Sequence, residues 1–131
     1  MTLLTIASTA SGLLLVILGF LALLVINLLL GLIEGVILTF LRWNPTRTCL
    51  QVSFIMNMIS GLINGLLLIF LQRSPMVWLP VSFVISLAVE WFIMSYFKRE
   101  TILQNSFYAI IANLGSYVLL ILPAFYFGSH P

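Results

Sequence analysis

Two carboxylates stand where carboxylates are costly. Glu34 lies in LIEGVILTFLR and Glu90 in AVEWFIMSYFK, each eight residues before a basic side chain, Arg42 and Lys98. The chain has only three acidic residues. An acid inside an apolar run has three ways to exist there. It is protonated, it accepts hydrogen bonds from polar neighbours, or it holds a cation, a proton or a cationic group from elsewhere.

The polar residues that could serve it recur in one register. Shifting the chain by 56 residues lays Glu34 on Glu90, Thr39 on Ser95, Arg42 on Lys98, Asn57 on Asn113 and Ser60 on Ser116. Apolar matches are cheap in such a chain, but polar matches are not. The economical reading is a duplicated helical hairpin. Each copy crosses the membrane twice, so the copies keep one orientation and the repeat is parallel, its pseudo-twofold axis along the membrane normal. At 1.5 Å per residue, each Glu sits about 12 Å from its basic residue. Asn57 lies eight residues beyond Cys49, where the second helix is expected to begin, so it returns to the depth of Glu34. Asn113 stands in the same relation to Glu90. The expected polar layer is therefore Glu34, Asn57, Ser60, Glu90, Asn113 and Ser116. Donors to Glu34 are expected from Asn57 and Ser60, or from their counterparts across the pseudo-twofold axis.

Composition dictates what positions this layer. The chain is 63% hydrophobic and 6% charged, with mean hydropathy +1.25. A soluble domain carries about 25% charged residues. The fold class is therefore an all-α integral membrane protein, read as one transmembrane domain over residues 1–131. A span needs roughly 20 apolar residues, and four segments qualify. The first begins between Leu3 and Leu13 and ends at Leu41, with residues 1–19 as an N-terminal extension; the others run from about Cys49 to Leu71, Met76 to Phe97 and Ser106 to Tyr126. The two hairpins are then about 20–73 and 76–129. Asn44-Pro45, Ser74-Pro75 and Lys98-Arg99-Glu100 break the helices, Asn105 or Ser106 is expected to cap the fourth, and Pro123 to kink or end it. Gly31 with Gly35, and Gly61 with Gly65, form two GxxxG pairs expected to bring helix backbones close.

Arg42, Arg47, Lys98 and Arg99 fall in loops one and three, against Arg73 alone in loop two. The positive-inside rule places those loops in the cytoplasm and both termini on the other side, in a bacterial inner membrane or an organellar, thylakoid-type one. Trp43 and Trp78, at span ends, are expected as interface anchors, and Cys49 as a small interfacial residue.

Several function classes drop out. The lone histidine, His130, next to the C-terminus, cannot form a paired-histidine haem site, and no phosphate loop, Ser-His-Asp set or zinc spacing exists. No cofactor and no nucleic acid is predicted, and an enzyme is not expected. The partners are the bilayer and, in the leading reading, other membrane subunits. In that reading the chain is a small non-catalytic subunit of a respiratory or photosynthetic type of complex, with room for an interface lipid, pigment or quinone. In the alternative it is a small homo-oligomeric transporter or channel with Glu34 and Glu90 as the proton or cation site. A third reading is a membrane assembly factor.

Overall fold

The computed structural model describes residues 3–71 and 75–128. Arg73, Ser74 and His130 lie outside the described residues. Helix α1 runs Leu3–Phe40, α2 Thr46–Leu71 and α3 Pro75–Phe97. A short 3-10 turn, Arg99–Thr101, leads into α4, Ile102–Ser116. A π turn over Tyr117–Ile121 joins α4 to α5, Leu122–Gly128. The chain thus has four helical stretches long and apolar enough to cross a membrane, the fourth spanning Arg99–Gly128. Around the bundle α1 packs on α2 and α4, and α3 packs on the same two.

The interior and exterior are reversed relative to a water-soluble bundle. Leu15, Phe40, Phe92 and Leu103 are each at least 70% exposed, whereas Glu34, Asn57, Glu90, Asn105, Asn113 and Ser116 are buried. The apolar core, Leu38, Met56, Val52, Cys49, Met94, Ala109, Ala112 and Trp43, lies between the polar layer and the end of the bundle that carries Arg42 and Lys98.

Helix ends follow local chemistry. α1 stops in a Schellman turn: Arg42 N–H donates to Thr39 and Trp43 N–H to Leu38. Arg42 takes the left-handed position with φ 56°, a cost of about 1–2 kcal/mol for a residue with a Cβ. That turn carries Trp43 into the bundle, so Trp43 is 1% exposed and not an interface anchor. Trp78 is also half-buried and faces an internal cavity. Cys49 is fully buried, its thiol 3.1 Å from the Asn44 carbonyl it donates to.

The fourth span begins earlier than the sequence suggests. Thr101 holds its N-cap position, without a side-chain cap bond, and Asn105 and Ser106 lie one turn inside. Asn105 is drawn into tertiary bonding and Ser106 donates to Leu103 instead of capping. Pro123 does not end the helix. A proline removes one donor and crowds the carbonyl four residues back. The backbone widens into the π turn just before it, where Leu122 N–H reaches back to Tyr117, and helix then resumes to Gly128.

The first glycine pair sets the α1–α2 distance. A Cβ on Gly31 would lie 3.2 Å from the Phe54 Cα, and one on Gly35 3.0 Å from the Leu50 Cα. The second pair differs: a Cβ on Gly61 would overlap the Asn27 amide, and one on Gly65 meets only Leu23 at 3.8 Å. Gly35→Ile is therefore expected to cost about 1–3 kcal/mol by forcing two backbones apart. Gly65→Ala should leave stability unchanged. Equilibrium unfolding in mixed micelles measures both, and equal effects would contradict this packing.

Candidate functional site

Each hairpin closes the same bond across its turn. Asn57 Nδ2 donates to Glu34 Oε2 at 2.5 Å, and Asn113 Nδ2 donates to Glu90 Oε2. Both amides also donate to the carbonyl four residues back, Ser53 at 3.0 Å and Ala109 at 3.1 Å. That second bond fixes the rotamer and aims the other N–H at the carboxyl.

The hairpins are then joined asymmetrically. Ser116 Oγ donates to Glu34 Oε1 at 2.6 Å, from the opposite hairpin. Ser60, its counterpart in the 56-residue register, does not reach either carboxyl; its hydroxyl lies 3.4 Å from the Asn57 carbonyl. Sequence reasoning offered Ser60 and Ser116 alike as donors to Glu34. The structure selects Ser116, because α4 packs beside α1. Three of the four carboxyl oxygens thus accept a bond, and Glu90 Oε1 is buried with none.

Ser116 makes Glu34 able to hold two protonation states. The hydroxyl has one hydrogen and two acceptors in reach: Glu34 Oε1, and the Asn113 carbonyl at 3.0 Å. When Glu34 is ionised, Ser116 donates to it. When Glu34 is protonated, its O–H donates to Ser116 Oγ, and Ser116 turns its hydrogen to Asn113. Neither state strands a buried donor, which otherwise costs about 1–3 kcal/mol.

A cavity of about 140 Å³ reaches this layer from the end opposite Arg42. Glu34, Asn57, Ser60, Asn113 and Ser116 form its floor, while Asn27, Asn64, Ser82, Ser86, Trp78 and Tyr117 line it further out. Glu90 stands behind Asn113. The sequence carried a signal for the residues it did not single out. Asn27 precedes Glu34 by two turns, and Ser82 and Ser86 precede Glu90 at spacings of eight and four, so each set shares one helix face. Tyr117 donates to or accepts from Ser82 at 3.1 Å and stacks edge-on against Phe83.

The other end is shut. Trp43 Nε1 donates to Asn105 Oδ1 at 2.9 Å, Lys98 Nζ donates to the Trp43 carbonyl at 2.9 Å, and Asn105 Nδ2 donates to the Lys98 carbonyl at 2.8 Å. These bonds tie the α1–α2 turn to the α3–α4 turn. Below them the apolar core separates the latch from the carboxyl layer. Lys98 thus acts inside the fold, whereas Arg42, Arg47 and Arg99 are exposed, Arg99 lying over the Tyr96 ring. Trp91 is on the outside, its Nε1 3.2 Å from the Ile102 carbonyl.

No family model matches the chain, and no curated protein or solved structure matches it.

Proposed function

We propose that the chain is an integral membrane carrier that binds a cation or proton at Glu34, with Glu90 as its coupled partner. The observation that carries this reading is the one-sided cavity. It leads to a buried carboxyl from one end, while the latch and apolar core close the other. A purely structural lock needs no route to its carboxyl. Two carboxyls joined through Ser116 and Asn113 also lie close enough to feel each other's charge. Binding one positive charge removes the repulsion that two ionised acids in one dry layer would suffer.

In this reading the four helices cross the bilayer, the basic latch end is cytoplasmic and both termini are outside. The chain arose by duplication of a hairpin, supported by three hydrogen bonds that recur 56 residues apart: Asn57 to Glu34 with Asn113 to Glu90, Asn57 to Ser53 with Asn113 to Ala109, and Ser60 to Asn57 with Ser116 to Asn113. Transport then needs the latch to open. The test of function is cation flux in vesicles, wild type against Glu34→Gln with Glu90→Gln.

The latch has its own test. Cys49 is the chain's single cysteine and is buried in the core under the latch. Trp43→Phe keeps the ring and removes only the donor to Asn105. A bond of about 0.5–1.5 kcal/mol lost from the closed state should raise maleimide labelling of Cys49 about two- to tenfold. Labelling as slow as in the wild type would mean that this bond does not hold the end shut.

A second reading keeps the chain as a subunit of a larger membrane complex. Residues 11–20 of α1 are exposed on every side, with nothing near Gly12 or Gly19. At 38 residues α1 is about 57 Å long, almost twice a bilayer core of about 30 Å. A partner helix would cover that stretch, and so would a second copy in a homo-oligomer. Purification in mild detergent separates the two: a stoichiometric large complex supports the subunit, and a homogeneous small oligomer supports the carrier.

A further inference from the structure

We propose that the cavity takes a small organic ammonium ion, its N–H donors on Glu34 and Asn64 and its apolar part against Trp78. The inference rests on the carrier reading and narrows its substrate.

The lining asks for a donor that is also a cation. Asn64 is 91% buried by its 9% exposure and lines the cavity. Its Nδ2 is spent on Ser86 Oγ at 3.0 Å and the Ser82 carbonyl at 3.4 Å, and its Oδ1 accepts nothing. Glu34 accepts one bond on each oxygen, and a carboxylate has about four lone-pair sites, so it has acceptor capacity left toward the cavity. No Lys, Arg or His lines the space. An anion would meet a carboxyl with no opposing charge.

The walls then choose among cations. Leu23, Ile26, Leu30 and Ile121 are apolar, and Trp78 and Tyr117 add aromatic surface. An inorganic ion gains little from such walls. An alkylammonium gains on both counts, since aromatic faces attract ammonium groups and the alkyl part leaves water. A divalent metal lacks a ligand set: among the described residues no three His, Cys, Asp or Glu converge. Size limits the ligand as well. Drug-sized ligands occupy about 300–1,000 Å³, so a cavity of about 140 Å³ admits only a few heavy atoms.

The experiment titrates the full chain in nanodiscs with n-butylammonium chloride, n-butanol and NaCl, following tryptophan fluorescence. Butylammonium should give a saturable change that persists in Trp91→Phe and is lost in Trp78→Phe, while butanol and NaCl give none. Glu34→Gln should weaken it about tenfold or more, the worth of a bond to a charged group. Asn64→Ala, which leaves the carboxyl layer intact, should weaken it about two- to tenfold. Saturation by Na⁺ with butylammonium inert would overturn the ammonium assignment and leave the carboxyl cation site standing. A response to butanol equal to that of butylammonium, or an Asn64→Ala titration identical to wild type, would also overturn it. Silence toward butylammonium, Na⁺ and protons alike would overturn both it and the carrier reading.

Discussion

Glu34→Leu is expected to destabilise the bundle by about 2–3 kcal/mol, whereas Glu34→Gln should change stability by less than about 1 kcal/mol. The difference lies in what each leaves behind. Leucine removes the acceptor of one Asn57 N–H, which is buried with its other N–H on Ser53. Ser116 can retreat to the Asn113 carbonyl, but Asn57 has no such second choice. Glutamine reproduces the protonated acid. Its carbonyl oxygen accepts from Asn57, its amide donates to Ser116 Oγ, and Ser116 donates to Asn113. Interhelical hydrogen bonds in membranes average about 0.6 kcal/mol, so the loss of the bonds alone would be a small effect. The stranded donor supplies the rest. Glu34→Leu combined with Asn57→Leu should therefore recover part of the loss in an equilibrium unfolding experiment. If the double variant is less stable than Glu34→Leu by the full cost of Asn57→Leu alone, the stranded-donor account fails.

Depth along a helix was legible in the chain, and position around the bundle was not. Counting eight residues to either side of a turn gives the level of Glu34 and Asn57, because rise per residue is fixed. It cannot say which of Ser60 or Ser116 faces Glu34, since that depends on which helices are neighbours. The 56-residue register treats the two serines as equal, yet only Ser116 reaches a carboxyl, and Glu90 Oε1 is left without a donor. The glycines break the register in the same way. Gly31 and Gly35 bring α1 close to α2, but Leu87 and Trp91 stand at the matching positions of α3.

The latch escaped the sequence for a different reason. Trp43, Lys98 and Asn105 lie in or beside turns, where no periodicity reports direction. A tryptophan at a span end reads as a headgroup anchor, and an asparagine near a helix start reads as a cap. Both readings were overturned by one turn. The left-handed Arg42 swings Trp43 inward, and the buried indole N–H then needs an acceptor, which Asn105 provides. The cavity lining was more accessible. Asn27, Ser82 and Ser86 sit on the faces of the two glutamates at whole-turn spacing, and a search for polar residues on those faces finds them.

The central claim is that Glu34 is a site reached from one side and not only a lock between helices. Flux through the reconstituted chain tests it most directly. Wild-type vesicles loaded with a pH-sensitive dye should dissipate an imposed proton or cation gradient, and the rate should rise with protein density. Glu34→Gln with Glu90→Gln keeps hydrogen-bonding amides in the layer but can neither release a proton nor pair with a cation. Its flux should fall to that of protein-free vesicles, a loss of at least about tenfold, since it removes interactions worth about 1.5–3 kcal/mol with a charged ligand. A folded double variant that carries gradients as fast as the wild type, or a wild type no faster than empty vesicles, would contradict the account and leave the carboxyls as structural bonds.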